Sequence, residues 1–341
     1  MKNKKIMICG TNIHPGEMAN LALPLPEQYS CSPQYMPIKV IHGKKAGPCL
    51  VVFSGLRGTE LNGLEIANKI ISEIIPDNVV GTVIAIPIMN VYALTHFPQI
   101  SPSGRDLVSC FPGNEEGSYG ERMAHLITNE IFEKADYCIE LHTGGVNHNI
   151  LPQVYCDFSD ERAIPLARVF RTPVITNVAS ASNQLRKTMG MLNTPLLVYQ
   201  AGEAMRLDDG VIQLGFKGVK NVMRALNMLA KEPDQEVQPI FSREEDWVVA
   251  HKGGILRPSV SLGQTIEMGE EIGTISDPFG SESIEHITSA LKGVVVGINS
   301  SPLVHEGLPI FKIASFMDDG AAENVIETWD KQQPDSFIGE Q

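Results

Sequence analysis

Near its start the chain alternates strand, helix and strand, and this pattern narrows the possible folds more than any other. Pro48-Cys49-Leu50-Val51-Val52-Phe53-Ser54 is a short apolar run closed by Gly55, and it reads as a buried strand. Glu60 to Ile75 follows, with Leu61, Leu64, Ile66, Ala67, Ile70, Ile71 and Ile74 at helical spacing, until Pro76 stops it. Gly81 to Met89 is again a continuous β-rich run. Apolar strands joined through a helix by short turns predict a parallel sheet covered by helices.

The rest of the chain extends this reading. Residues 91–119 hold little regular pattern and several Pro, Gly and Ser, and so long a loop in a compact domain is usually functional. Glu121 to Glu133 reads as a helix and Tyr137 to His142 as a strand. Pro173 to Thr176 and Pro195 to Tyr199 are further strands, and Lys217 to Leu229 is an amphipathic helix. The polar segment Lys231 to Gln238 marks a boundary. Beyond it, recurring glycines separate short β-rich runs, the signature of a small all-β domain. The expected organisation is an α/β domain over 1–238 with N-terminal strands, a β-domain over 239–317, and a loosely held acidic tail over 318–341.

Composition restricts the partners. Lys plus Arg number 27 against 40 Asp plus Glu, a formal net charge of −13. Nucleic acid is excluded as a partner, since duplex binding rests on phosphate neutralisation, and an anionic membrane surface is disfavoured for the same reason. No apolar run reaches the roughly 18 residues of a transmembrane helix, and the N-terminus lacks the sustained apolar segment of a signal peptide. Six scattered cysteines form no CxxC pair, which fits a reducing cytoplasm. A small-molecule substrate or ligand remains, and a homo-oligomer stays open. An anionic ligand needs local cations.

Three strand ends gather the residues able to do chemistry. They are Ser54-Gly55-Leu56-Arg57-Gly58-Thr59-Glu60-Leu61-Asn62-Gly63, Glu140-Leu141-His142-Thr143-Gly144-Gly145 and Val198-Tyr199-Gln200-Ala201-Gly202-Glu203. Ligands of open α/β sheets sit outside the carboxyl ends of strands. Glu140 and His142 are two apart and share one face of their strand.

Together with Asp106-Leu107, Phe111-Pro112-Gly113 and the helix Val219 to Leu226, these motifs resemble the succinylglutamate desuccinylase/aspartoacylase family, in order from about Cys49 to Leu229. The resemblance implies a carboxypeptidase-like α/β fold with a mostly parallel sheet flanked by helices. Trp247 to Ile313 resembles the small barrel-sandwich-like β-domain that many members append. The implied activity is zinc-dependent hydrolysis of an amide or ester bond in a small N-acyl amino acid-like substrate. Three protein ligands and an open water position let zinc supply a hydroxide, while a carboxylate takes the proton. The resemblance assigns Glu60 and His142 to the metal, with Glu140 as an orienting group behind them.

The chain departs from the family pattern at three places. Arg57 stands at the first His position, and a guanidinium has no lone pair for a metal. Gln200 stands where the resemblance puts the catalytic Glu, and an amide is no base. Val108 and Ser109 replace the Asn-Arg pair whose Arg grips the substrate carboxylate. A rescued site needs a further ligand, with Cys110, His96 and His148 nearest in sequence, and Glu203 as a displaced base. Arg105 and Arg186 either bring positive charge to the pocket or are solvated surface residues. Two readings follow: a zinc hydrolase with an altered site, and a non-catalytic descendant that binds a small molecule or partner protein. An Arg–Glu contact between Arg57 and Glu60 favours the second.

Overall fold

The computed structural model describes residues 2–27, 32–96, 104–232, 238–279, 284–316, 319–333 and 336–338. Its principal elements open with β1 (Met18–Pro24), β2 (Tyr35–His42), β3 (Lys45–Ser54), α1 (Leu61–Glu73) and β4 (Val80–Ile86). Next come α2 (Tyr119–Glu130), β5 (Tyr137–His142), β6 (His148–Cys156), α3 (Ala163–Phe170), β7 (Val174–Asn177), α4 (Gln184–Met191), β8 (Leu196–Gly202) and α5 (Asp209–Ala225). The C-terminal part contributes β9 (Glu244–Val249), β10 (Gly293–Asn299), β11 (Pro309–Ser315) and α6 (Asp319–Asp330).

The large sheet runs β9-β11-β10-β6-β8-β5-β3-β4-β2-β1. Its centre, β8-β5-β3-β4, is parallel, in the register Leu197↔Ile139, Val52↔Ile139 and Val51↔Ile84. On either side the sheet turns antiparallel, at Val198↔Tyr155 and Val40↔Ile84. It is therefore a mixed sheet, and the expectation of a mostly parallel one holds only for its middle. Connection length explains the difference. A parallel return needs a crossover of about a dozen residues. Only Thr143–Asn147 separate β5 from β6, so β6 must run the other way.

Helix α1 shows why the crossover packs as it does. Ile66, Ala67 and Ile70 point inward with Leu50, Val52, Leu141 and Tyr199 in one apolar cluster. Each buried Ile, Leu or Val side chain contributes about 1.5–3 kcal/mol. Gly63 lets the helix settle onto the sheet, because a Cβ there would lie 2.2 Å from Ser54 Oγ. The opposite face of the sheet carries Val51, Phe53, Cys138 and Val198 under α2 and α4. Residues His142, Glu140, Gln200, Tyr155 and Gln153 share that second face through strand alternation and register.

The C-terminal part forms a four-stranded antiparallel sheet of Gly254–Pro258, Glu271–Ser276, Ile284–Thr288 and Leu303–Val304. Strands β9 to β11 extend the large sheet, through Gly297↔Ile150 and Ile298↔Asn149. Residues 319–330 are not a loose tail. Ala322, Ile326 and Trp329 of α6 are buried, and Trp329 Nε1 donates to the Arg171 carbonyl at 3.0 Å. The acidic composition masks an apolar face at helical spacing. No helix among the described residues is long and apolar enough to cross a membrane.

Candidate functional site

Three parallel strands deliver the site at their carboxyl ends. Gly55, with φ +67°, turns the chain out of β3, and Glu60 sits at the start of α1, 3 % exposed. His142 ends β5, and Gln200 of β8 lies opposite it in register. The turn after β3 and the end of β5 thus bring residues 57, 60 and 142 together, as the strand-end motifs predict.

The contacts are specific. Arg57 Nη1 lies 3.0 Å from His142 Nε2. His142 Nδ1 is in direct contact with Glu60 Oε1, and both atoms are buried with no other hydrogen-bond partner among the described residues. A guanidinium only donates, so Nε2 must accept and the ring proton sits on Nδ1, facing Glu60. Arg57 meets Glu60 itself only through its backbone N–H, 3.3 Å from Oε2. The guanidinium's second branch lies 3.6 Å from Asp106 Oδ2.

Burial is the largest influence on His142 and opposes a charged ring, but the Glu60 and Glu140 carboxylates together outweigh it and the opposing Arg57, and hold the pKa above its ordinary value. A doubly protonated ring would set Nε2–H against an Arg57 N–H, so the Arg57 contact belongs to the neutral ring. Desolvation raises the Glu140 pKa, and His142 and then Arg186 pull it back. The half-buried Arg186 of α4 thus acts on Glu140 by its charge and does not line the Arg57 cleft. The sequence around it carries no decisive sign of this, because an Arg on a short helix reads equally as surface.

The other sequence-derived residues fall as follows. Gln200 Nε2 donates to the Thr143 carbonyl at 2.9 Å, which fixes its amide. Glu203 accepts from Ser300 Oγ at 2.9 Å and lies 3.9 Å from Arg206 Nε. Arg105 pairs with Glu121 at 3.0 Å. Asp106 Oδ1 accepts from the Val108 N–H at 3.0 Å, and Ser109 Oγ donates to the Asp106 carbonyl at 2.6 Å. Arg57, Val108 and Ser109 line one cleft of about 810 Å³, joined from α4 and the residue before it by Lys187 and Asn183. Asn183 caps α4, its Oδ1 accepting from the Arg186 N–H at 2.8 Å. Sequence reasoning misses Asn183 and Lys187, although an Asn before a helical run is a start signal.

These residues do not fit a zinc ion. Only Glu60 and His142 converge, and the arrangement uses both ring nitrogens of His142. Among the described residues no group of three His, Cys, Asp or Glu side chains forms a metal cluster. Cys110 Sγ donates to the Asp106 carbonyl, His96 stacks on Tyr92, and His148 packs tilted against Trp247 with Nε2 3.1 Å from the Pro309 carbonyl. The cleft offers the fixed Arg57 guanidinium, the Lys187 ammonium and the Asn183 and Gln184 amides, against one carboxylate among the described residues, Asp106. That is the chemistry of oxyanion binding.

Comparison with known proteins agrees with the fold. Residues 46–226 match the model of the succinylglutamate desuccinylase/aspartoacylase catalytic domain. An N-alpha-acetyl-L-2,4-diaminobutyric acid deacetylase of Halomonas elongata is 24% identical over 254 residues, covering 71% of this chain and 74% of the relative. A succinylglutamate desuccinylase/aspartoacylase from Rhodobacter sphaeroides superposes with a TM-score of 0.78 at 21% identity, covering 88% of this chain and 96% of that one. The product-bound ectoine utilization protein EutE (DoeB) of Ruegeria pomeroyi gives 0.80 at 17% identity, covering 92% and 99%.

Proposed function

This chain belongs to the succinylglutamate desuccinylase/aspartoacylase family, and on that premise we propose that it binds a small acyl amino acid-like carboxylate in the Arg57 cleft without hydrolysing it. The observation that carries the reading is the shared histidine. His142 spends Nε2 on Arg57 and Nδ1 on Glu60, so no lone pair is presented to a metal. Arg57 supplies a permanent positive charge in the corner where the family resemblance puts zinc. Being 34% exposed, its side chain is open to a ligand. Val108 and Ser109 shape the cleft wall, and Lys187 adds a second cation. Gln200 has no basicity with which to activate water. Glu203, held by Ser300, is committed elsewhere. Cys9, Cys49, Cys110, Cys138 and Cys156 are free thiols, which supports placing the protein in the cytoplasm.

The test pairs elemental analysis with calorimetry. Protein purified without chelator is expected to contain no zinc, to take up none, and to bind N-acetyl-diaminobutyrate or succinylglutamate without releasing acid. Arg57→Gln should abolish that binding. Release of acetate or succinate by the parent protein would overturn the reading.

A second reading, a zinc-dependent hydrolase of such compounds, is favoured by the convergence of Glu60 Oε1 and His142 Nδ1, two of the three donors a catalytic zinc needs. It requires Arg57 to leave. It predicts about one zinc equivalent, lost in Glu60→Gln.

A further inference from the structure

The large sheet has two outer edges, and the residues along them differ. Strand β9 ends the sheet on one side, with Glu244-Glu245-Asp246 at its start and a register shift between Val248 and Val249. Charges and bulges of this kind keep an exposed edge from pairing with other chains. Strand β1 ends the sheet on the other side as Met18-Ala19-Asn20-Leu21-Ala22-Leu23-Pro24, with no charged residue and an unbroken register against β2. Its one guard is Pro24, at the last position. An uncharged edge without a bulge is a template for a further strand.

Hydrogen bonding fixes which groups this edge presents. At one end the His42 N–H donates to the Glu17 carbonyl at 3.0 Å, and at the other the Leu25 N–H donates to the Gln34 carbonyl at 2.9 Å. Both pairs continue the β1–β2 register. Bonded and non-bonded pairs alternate in an antiparallel ladder, so residues 19, 21 and 23 bond to β2. Met18, Asn20 and Ala22 therefore point both backbone groups away from the sheet, where no strand among the described residues meets them. Side chains alternate too. Met18, Asn20 and Ala22 are exposed on one face, and Asn20 Oδ1 accepts from Lys39 Nζ at 2.7 Å. Ala19 and Leu21 are half-buried on the other, against the apolar cluster that holds Met36, Ile38 and Val40.

We propose that β1 pairs antiparallel with β1 of a second copy of this chain, about a two-fold axis at Asn20, so that the large sheets of the two copies run on into one. The strand is complementary to itself, as a two-fold contact requires. With Asn20 opposite Asn20 of the second copy, Met18 falls opposite Ala22, and the outward N–H groups of residues 18, 20 and 22 on each strand all find carbonyls. The neighbouring register, Asn20 opposite Ala22, sets Met18 against Pro24, which has no N–H to give. On the exposed face Met18 meets Ala22, and on the core face Leu21 meets Ala19, large against small on both sides. Charge agrees. A chain of net charge −13 repels its own copy, and β1 brings no carboxylate of its own to the contact. Its seven residues fall short of the roughly 20–30 a side of a standard interface, so the pairing is reversible.

The experiment is analytical sedimentation of the full chain from about 1 μM to about 1 mM, the range of weak reversible pairs. A monomer–dimer equilibrium is expected. Ala22→Lys, at an exposed position, should weaken it about tenfold or more, because a lysine on an edge strand opposes pairing. Ala22→Pro should weaken it severalfold, since it removes an outward N–H from each strand and none from the ladder to β2. Glu244→Ala, on the opposite edge, should leave it unchanged. Amide hydrogen exchange over the same concentrations reads the register. The N–H groups of Met18, Asn20 and Ala22 should gain protection as the dimer forms, while those of Ala19, Leu21 and Leu23 are protected throughout. Exchange in the parent chain needs no variant, which keeps the test decisive if Ala22→Pro does not fold. A monomer at every concentration overturns the proposal. So does a dimer indifferent to both Ala22 variants, or one that forms without protecting Met18, Asn20 and Ala22.

Discussion

The two ends of the central parallel strands treat positive charge in opposite ways. At the carboxyl end Arg57 is engaged on two sides, by the half-buried His142 and by Asp106, and Glu60 completes the set. At the amino end, among the described residues, Arg171, Arg224 and Lys231 line one cleft with Glu232, whose side chain is 64% exposed. The same acidic chain thus uses one cation to hold a degenerate corner together and gathers others around an open cleft. Net charge predicts neither arrangement. Both depend on which side chains the fold sets within a few ångströms.

The largest expected effect comes from undoing the carboxyl-end arrangement. The double variant Arg57→His, Gln200→Glu restores a third donor and a base, and its zinc content should rise from none to about one equivalent by elemental analysis. A double variant that takes up no more zinc than the parent shows that something other than Arg57 and Gln200 keeps the metal out. Next in size is Arg57→Ala. It leaves His142 Nε2 without its donor, at a cost of about 1–3 kcal/mol in chemical denaturation. It should also raise the His142 pKa further, because Arg57 opposes protonation; an NMR titration that moves downward contradicts the assignment.

The pH dependence is smaller and has a definite sign. The folded His142 pKa lies above its ordinary value of 6.5. The folded state therefore binds the proton more tightly than the unfolded chain. The stability from this group is fully present below the unfolded pKa and is lost as pH rises through the folded one. The stability difference between the parent and His142→Asn should therefore shrink as the pH climbs above 6.5. If that difference stays constant as the pH rises, Glu60 does not govern the ring. The smallest effect belongs to the amino end. Lys44 and Asp77 pair at 2.7 Å with both side chains about two-thirds exposed. Lys44→Ala should change stability by less than about 1 kcal/mol.

Much of the parallel core is legible in the order of the amino acids. The apolar run at 48–54, the helical spacing from Leu61 and the β-rich run from Gly81 to Met89 emerge as β3, α1 and β4 with shifts of a few residues. Strand β6 is not legible in this way, because His148 to Cys156 carries Pro152, Gln153 and no clean alternation. Its place is set by pairing with β8 and by the short loop that precedes it. Helix α6 is hidden by its acidic composition, since only docking against the body reveals that Trp329 and Ile326 face inward.

For the site, the sequence by itself determined which groups are chemically unable to act: Arg57 cannot ligate and Gln200 cannot take a proton, whatever surrounds them. It also determined that these residues lie at strand ends. Only the tertiary structure decided what Arg57 does in place of ligation. Residues 57 and 142 lie 85 positions apart in the chain, and their contact exists because β3 and β5 are neighbours in the sheet. The meeting of Arg171 and Arg224 in one cleft has the same origin. Charge is a property of composition, but a partner is a matter of distance, and distance between remote residues is fixed by packing alone.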